Sequence, residues 1–193
     1  MIKFADGIVV TDLEHKCMLH VLAEPEKQLR EILAGKVEAR RSALIKEWQS
    51  TLHADDSITE LPAAANALAE LIMARSDYKT RLEQDAAADP PVITDRTSIT
   101  AYEAVDRSGT TVTLFDGGIT IDDTEANCIL AYVQDLDNWI ISSVMTHVNL
   151  GRRRMITKYH PIILDDPDVT TMPGTEDGLV TMILARSDYQ PEA

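Results

Sequence analysis

The chain has 193 residues, a net charge of −14 at neutral pH, and 45% hydrophobic but only 5% aromatic residues. This apolar fraction argues against a disordered chain and suits a helical protein with an aliphatic core. The acidic balance argues against nucleic acid as the main partner, because phosphate binding needs clustered Lys and Arg. No stretch approaches the roughly 20 apolar residues of a membrane span, and the first residues lack the apolar segment of a signal peptide, so we expect neither membrane insertion nor secretion.

The pentapeptide ARSDY occurs twice, at residues 74–78 and 185–189. Shifting the chain by 111 residues without a gap aligns residues 1–82 with 112–193 and gives 20 identities in 82 pairs. Self-similarity over this length indicates a duplicated module. The predicted domains are therefore copy 1 over residues 1–82, a linker over 83–111 and copy 2 over 112–193.

Each copy begins with a short extended segment that ends in an Asp-Gly or Gly-Gly turn, and a helix follows. Thr11 with Glu14, and Asp122 with Glu125, have the spacing of a capping box at the helix start. The first helix is apolar on most sides as far as about residue 23. We therefore expect it to be the most buried helix of the module.

The second helix is predicted to begin at Pro25 and to run for about 28 residues, on apolar residues spaced by three and four. An Asp-rich loop and a third helix over residues 63–75 follow. In the linker, residues 97–105 and 110–115 are predicted to form a β-hairpin. We expect these strands to pair with the extended start of a module or with another chain, because an isolated hairpin is marginal in water. The predicted fold class is mainly α, with α+β character at the margins: two three-helix modules joined by a linker with a β-hairpin.

ARSDY is then the end of the third helix in both copies. Arg75 and Arg186 lie in its last turn, where a cation complements the helix dipole. The rings of Tyr78 and Tyr189 can pack back over the helix end. The repeated string therefore has a structural interpretation before a functional one.

Arg41 and its counterpart Arg152 lie on the apolar stripe of the second helix. A guanidinium in that position extends to solvent along its methylene groups, is bound by a carboxylate, or binds a partner protein. We predict a carboxylate partner in at least one copy. The carboxylates favoured for this pair are Asp55, Asp77, Asp166 and Asp188.

No catalytic, cofactor-binding or metal site is predicted. Cys17 and His20 have zinc-ligand spacing, but there is no second pair, and Cys128 is followed by Ala131 where a His would be needed. The acidic loop at residues 165–168 lacks the glycine and closing glutamate of an EF-hand. The five histidines do not stand beside a nucleophile, and there is no glycine-rich phosphate loop. The two cysteines are predicted to be buried thiols; a disulfide would require the two positions to face each other.

Several motifs are typical of one class of viral protein. They are Asp135-Leu136-Asp137-Asn138-Trp139, Gly35-Lys36, Arg40-Arg41, Glu47-Trp48 and the run 55–62 together with ARSDY. With these motifs the chain resembles small helical proteins encoded among the structural genes of tailed bacteriophages. Copy 1 has Gln28 in place of Trp139, and copy 2 has Thr146 and His147 in place of Gly35 and Lys36. The resemblance implies a virion component of the tail or its fibres, without catalytic residues or cofactors.

Two functions of different classes follow. The first is a non-enzymatic connector in a virion, assembled in the host cytoplasm, which binds other virion proteins as a homo-oligomer or in a hetero-oligomeric assembly. The second is a cytosolic adaptor, assembly chaperone or regulator that binds a protein partner through each module. The residues that we predict to be structural or interaction sites are Arg41, Arg152, Arg75, Arg186, Asp77, Asp188, Tyr78 and Tyr189.

The two copies differ in charge. Copy 1 has 11 basic and 13 acidic residues, whereas copy 2 has 5 and 13, so their net charges are −2 and −8. We therefore predict that the two modules contact different surfaces. The acidic copy is expected to prefer a basic or polar surface, and salt would weaken that contact.

Overall fold

The computed structural model of the protein describes residues 1–88 and 102–193, which are mainly helical with two small antiparallel sheets. The predicted fold class is thereby confirmed. The helices are α1 Asp12–Val21, α2 Pro25–His53, α3 Ala65–Met73, α4 Arg81–Ala87, α5 Asp123–Leu130, α6 Leu136–Leu164 and α7 Glu176–Leu184. The strands are β1 Ile2–Phe4, β2 Ile8–Thr11, β3 Thr111–Leu114 and β4 Ile119–Ile121.

The helices of copy 1 recur in copy 2 at the same offset. Helices α2 and α6 begin and end at equivalent positions, and so do α3 and α7. Both predicted capping boxes are formed: Thr11 accepts from the backbone N–H of Glu14, and Asp122 accepts from that of Glu125. Local sequence therefore determines where each first helix begins.

The ungapped alignment is wrong in one turn. The first strand of copy 1 ends at Phe4, and the equivalent strand of copy 2, β3, ends at Leu114. Leu114, and not Phe115, is therefore the structural counterpart of Phe4. The turn of copy 2 has one extra residue, which two successive glycines at positive φ accommodate, Gly117 and Gly118.

The predicted linker hairpin is only half present. Tyr102 and Glu103 are helical, so the prediction of a first strand is wrong over the described residues 102–105. Residues 97–101 of that predicted strand lie outside the described residues. The second predicted strand exists as β3 and pairs antiparallel with β2. It thus pairs with the extended start of a module, which is one of the two expected outcomes.

The described residues form two compact units, each combining segments of both copies. Unit 1 comprises the described residues of Met1–Asp6, Arg30–Thr97 and Gly117–Ile140. Unit 2 comprises the described residues of Gly7–Leu29, Ser98–Asp116 and Ile141–Ala193. The sequence repeats are therefore not the compact units. The domain boundaries at 82 and 112 stay a prediction about the duplicated segments.

Unit 1 contains the sheet β1–β4 and packs α5, from copy 2, against α3, from copy 1. Its buried cluster shows the mixing residue by residue. Leu44 and Leu52 of α2 and Ala69 and Ile72 of α3 enclose Cys128 of α5. The first helix of copy 2 therefore completes the core of copy 1.

Unit 2 is the reciprocal arrangement. It contains the sheet β2–β3 and packs α1, from copy 1, against α7, from copy 2. Cys17, Met18 and His20 of α1 have no exposed surface, as expected for the most buried helix. Gly151 of α6 lies so close to α1 that a Cβ atom there would overlap the carbonyl group of Cys17.

Candidate functional site

The Arg and Asp of the first ARSDY form an ion-pair cluster in unit 1. Nε and Nη2 of Arg75 donate to the two carboxylate oxygens of Asp77 at 2.9 and 3.2 Å, and Nη1 donates to Asp55. Asp55 also accepts from the backbone N–H and the hydroxyl of Ser57. The hydrogen bonds from Ser57 and Arg75 lower the pKa of Asp55 to about 2. The cluster fastens the Asp-rich loop to the end of α3.

Unit 2 repeats this cluster with equivalent residues. Arg186 donates to both oxygens of Asp188 at 2.8 and 3.1 Å and to Asp166 at 2.8 Å. Its hydrogen bonds lower the pKa values of both aspartates. A bidentate guanidinium–carboxylate pair fixes distance and orientation together. We refer to the two sets, Arg75 with its aspartates and Arg186 with its aspartates, as the Arg–Asp clusters. They explain why ARSDY is present twice.

Arg41 and Arg152 have carboxylate partners, but not the predicted ones. Arg41 pairs with Glu38 and donates to Asn66. Arg152 Nη2 lies 2.8 Å from Asp177 Oδ1. The prediction of a carboxylate partner is confirmed, whereas the partner's predicted identity is wrong, because the Arg–Asp clusters already bind all four candidate aspartates. The two side chains are only 15% and 20% exposed, so they do not extend freely into solvent.

Each of these arginines also lies beside a cysteine of the other copy. The positive charge of Arg152 acts on the thiol of Cys17, and that of Arg41 acts on the thiol of Cys128. Burial raises the pKa of Cys17 to about 11 and also raises that of Cys128. Both thiols are free and buried, as predicted. They are therefore protonated and unreactive at neutral pH.

The two tyrosines of ARSDY lie beside aromatic rings, which the sequence did not predict, and their neighbours differ. Tyr78 lies 6.1 Å from Trp48, centroid to centroid. Tyr189 lies 5.7 Å from Tyr159, and it also stacks on His20 at 5.9 Å. Burial lowers the pKa of His20, so its ring is neutral at pH 7.

Unit 1 has a cavity of about 310 Å³ beside Tyr78, bordered by α2, α4 and the residues that follow α5. The hydroxyl oxygens of Tyr78 and Tyr132 are buried there and have no hydrogen-bond partner among the described residues. Burial raises the pKa of Tyr78 to about 12 and also raises that of Tyr132. A buried hydroxyl without a partner is unfavourable, because it gives up its hydrogen bonds to water without replacement. The polar and charged residues that line the cavity are Glu47, Asp77, Lys79, Arg81 and Gln84.

The metal sites considered from the sequence are not assembled. Within residues 1–88 and 102–193, no group of three or more His, Cys, Asp and Glu could hold a metal ion. His20 lies against Tyr189, and Asp166 of the acidic loop is bound by Arg186. Among the same residues, no helix combines the length and apolar character needed to cross a bilayer.

No protein-family model, curated protein or solved structure matches the chain. The sequence pattern identifies the residues of the Arg–Asp clusters and Tyr78, but it does not indicate Tyr132 or Ala131, which also line the cavity. One signal was present. Ala131, which follows α5 directly, aligns with the fully buried His20 of α1, and a large residue replaced by a small one leaves space where the surroundings are alike.

Proposed function

We propose that the protein is a non-enzymatic connector of a tailed-bacteriophage particle, associated with the tail or tail fibres, and that its two units bind different neighbouring virion proteins. The resemblance of its motifs to those of phage structural proteins supports the location in the virion. The comparison of the two units supports the binding of different partners. Their capping boxes, Arg–Asp clusters and buried first helices are alike, whereas their surfaces differ.

The observation that carries the proposal is the apolar end of α6 in unit 2. Leu164 is 62% exposed where copy 1 has His53, and Ile162 is 41% exposed where copy 1 has Thr51. Large exposed apolar side chains are unfavourable in water and favourable in a protein interface. Ile162 and Leu164 flank the buried Ile163 and lie on different sides of the helix end, so Leu164, the more exposed, is the main apolar contact. Unit 2 therefore offers an apolar contact that unit 1 does not offer at the equivalent place.

The difference in charge between the copies does not carry over to the units. The described residues of unit 1 include 9 basic and 16 acidic residues and those of unit 2 include 8 and 14, which give −7 and −6. The values are similar because each unit contains segments of both copies. Apolar exposure at the end of the long helix, and not net charge, is thus the feature that separates the two units, and we expect the contact of unit 2 to be insensitive to salt.

The test is to locate the protein and then disrupt the proposed contact. Mass spectrometry of purified particles should find the protein in a fixed ratio to the other virion proteins. Leu164→Asp should remove it from the particles, whereas the matched change His53→Asp in copy 1 should not. Circular dichroism of both purified variants controls for folding. If a folded Leu164→Asp protein enters particles as the wild type does, the end of α6 is not the contact.

The location experiment also separates the two classes of function. A protein that is present in infected cells but absent from purified particles would exclude a virion connector. That result would favour the cytosolic adaptor, assembly chaperone or regulator. Pull-down with separate Leu164→Asp and His53→Asp variants would then identify the unit that binds the partner.

A further inference from the structure

The outer edge of β2 in unit 2 is closed by two side chains of the segment that precedes β3. The backbone N–H of Val9 points away from β3 and donates to the hydroxyl of Tyr102 at 3.1 Å. The carbonyl of Val9 accepts from Nε of Arg107 at 2.9 Å. A third strand would supply one acceptor and one donor at these places, so the two side chains complete the edge as a neighbouring strand would.

Arg107 is held in this position by its own segment and by Glu14. Its Nη1 donates to the carbonyls of Tyr102 and Val105, and its guanidinium lies 3.9 Å from the centre of the Tyr102 ring. Its Nη2 lies 3.7 Å from Oε1 of Glu14, which is too far for a hydrogen bond but within the range of an ion pair. Unit 2 thus places one arginine against both a strand edge and the carboxylate of a capping box.

Unit 1 has the same strand edge without these side chains. Thr120 of β4 corresponds to Val9 of β2. If the N–H and C=O of Thr120 bonded β1, the ladder would continue through the N–H groups of Ala5 and Asp122, but these donate to side chains. The polar groups of Thr120 therefore point away from β1. Thr120 is exposed, and no described residue hydrogen-bonds these outward groups.

The carboxylate beside this open edge is that of Glu125, the counterpart of Glu14. It accepts from the backbone N–H of Asp122 at 3.1 Å in its capping box, and no cation among the described residues lies within salt-bridge distance of it. Glu125 is half-buried, whereas Glu14 is only 3% exposed. The cover that Arg107 gives to Glu14 is therefore missing from Glu125.

The charges near the two edges are balanced in unit 2 and unbalanced in unit 1. In unit 2 both carboxylates at the start of α1 have a cation: the pairs are Asp12–Lys16 and Glu14–Arg107. Two carboxylates near the sheet of unit 1 are also paired: Asp123 with the N-terminal amine and Asp6 with Lys3. Asp122, Glu125 and Glu70, which accepts from Thr124 at 3.0 Å, have no cation among the described residues. A cationic group at the edge of β4 is therefore favoured by its surroundings.

We propose that the edge of β4 and Glu125 bind an arginine of a neighbouring protein, presented together with a tyrosine as in the segment 102–107 of unit 2. The guanidinium donates to the carbonyl of Thr120 and pairs with the carboxylate of Glu125, because its donors form a fixed fork that reaches both groups. The tyrosine hydroxyl accepts from the N–H of Thr120. The inference rests on the proposed function, in which unit 1 binds a different virion protein from unit 2, and it states the chemistry of that protein.

The probe is the peptide acetyl-YEAVDRSGT-amide, which has the sequence of residues 102–110, added to the full-length protein. In ¹H–¹⁵N NMR spectra the backbone amide signal of Thr120 should shift and saturate in the millimolar range. A control peptide with alanine in place of the arginine should bind at least about tenfold more weakly. If the Thr120 signal does not shift, or if both peptides bind equally, the proposal is overturned.

Variants of the protein test the carboxylate. Glu125→Gln keeps the helix start intact, because glutamine also completes a capping box, and it should weaken binding of the peptide by about fivefold or more. Glu70→Gln removes an exposed carboxylate of the same acidic surface and should change binding by less than about twofold. Equal losses in the two variants would mean general attraction to an acidic surface and would overturn the assignment to Glu125.

Pairing of the β4 edges of two copies is the alternative occupant of this edge. The Thr120 signal would then shift with protein concentration alone, and light scattering would detect a dimer, which would overturn the proposal. Failure of the peptide to bind leaves the connector proposal intact, because that proposal depends on Leu164 and on the presence of the protein in particles. Conversely, Leu164→Asp should leave the response of Thr120 to the peptide unchanged.

Discussion

The two units share a two-stranded sheet, a first helix, a long second helix and a third helix, but they differ in the residues at which the first helix meets the second. In unit 2 the glycine at position 151 lets α1 approach α6 until the backbones touch at Cys17. In unit 1 the equivalent residue is Arg40, whose guanidinium lies 4.6 Å from the ring of Tyr132. Unit 1 thus has an exposed arginine at the position where unit 2 has direct backbone contact. Divergence after duplication has therefore changed the packing of the first helix of each copy. The capping boxes of these helices and the Arg–Asp clusters are retained.

The difference between the units indicates where new properties arise in a duplicated chain. Polar groups that end helices and fix loops tolerate little change, because an unpartnered ion or amide is unfavourable in both copies. Apolar contacts between helices change more freely, because one larger or smaller side chain alters the local volume. The filled environment of His20 and the cavity beside Ala131 are two results of the same interface.

Separating the copies should have the largest effect. Residues 1–88 alone lack α5 and β4, and residues 102–193 alone lack α1 and β2, so neither fragment can complete a unit from its own sequence. We expect each fragment to be unfolded or to form homodimers, and the mixture to form a stable 1:1 complex. Light scattering coupled to size-exclusion chromatography, with circular dichroism, measures both. Two separately folded, non-interacting monomers would show that the exchange between the copies is not required.

Filling the close contact between Gly151 and the backbone of Cys17 in unit 2 should have the second-largest effect on stability. Gly151→Ala places a methyl group against the backbone of Cys17 and should reduce the free energy of unfolding by about 3 kcal/mol, because the backbone cannot move aside as a side chain can. Arg40→Ala, the matched change in unit 1, removes only a cation–π contact and should cost about 0.5–1 kcal/mol. Urea denaturation monitored by circular dichroism measures both. Equal losses would contradict the difference in packing.

Replacing Arg41 of α2 or Arg152 of α6 should reduce stability less than filling the contact at Gly151. Arg152→Met removes the pair with Asp177, but that carboxylate is 63% exposed and stays hydrated when its partner is lost. The expected loss is about 1 kcal/mol, and Arg41→Met should be similar, because Glu38 is 60% exposed. Thermal denaturation of the two variants provides the comparison. A loss of about 3–5 kcal/mol in either variant would mean that a buried charge is left without its partner.

The smallest expected effect is on the pH dependence of stability. The pKa of Asp55 is about 2 in the folded chain, below its ordinary value of 3.8, so its contribution is complete above about pH 4 and is lost as the pH falls towards 2. Asp55→Asn should lower Tm at pH 7, and its difference from wild type should shrink over this window. Asp166→Asn should have a smaller effect, because Asp55 additionally accepts from the hydroxyl of Ser57. A Tm difference that stays constant from pH 7 to 2 would remove Asp55 from the acid response.

Much of the fold follows from the sequence because its signals are local. Capping boxes, Pro25 and the apolar spacing define the helices, and two copies give each boundary two observations. The sequence does not predict that the first helix of each copy packs with the second and third helices of the other copy. Since the copies share their apolar positions, the Cys17 face of α1 is compatible with α2 as well as with α6, and only tertiary contacts decide between them.

The contacts of the site residues are likewise predictable from the sequence only where the two partners are close in sequence. Arg75 and Asp77 are two positions apart, and their pairing is a local property of ARSDY. The partner of Arg152 is 25 residues away, and the sequence offers several carboxylates at similar separations. The cavity is less predictable still, because it depends on Ala131 meeting helices that belong to the other copy.

The pairing of β1 with β4 also sets the order in which a new chain can fold on the ribosome. Ile2 pairs with Ile121, which is synthesised 119 residues later. At about 5–20 residues per second, the first strand waits roughly 6–24 s for its partner. During that time α2 has emerged, but α5, which covers the Leu44 side of its core, has not. Nascent copy 1 therefore displays apolar surface for seconds, and slowing translation between residues 88 and 121 should increase its capture by ribosome-associated chaperones.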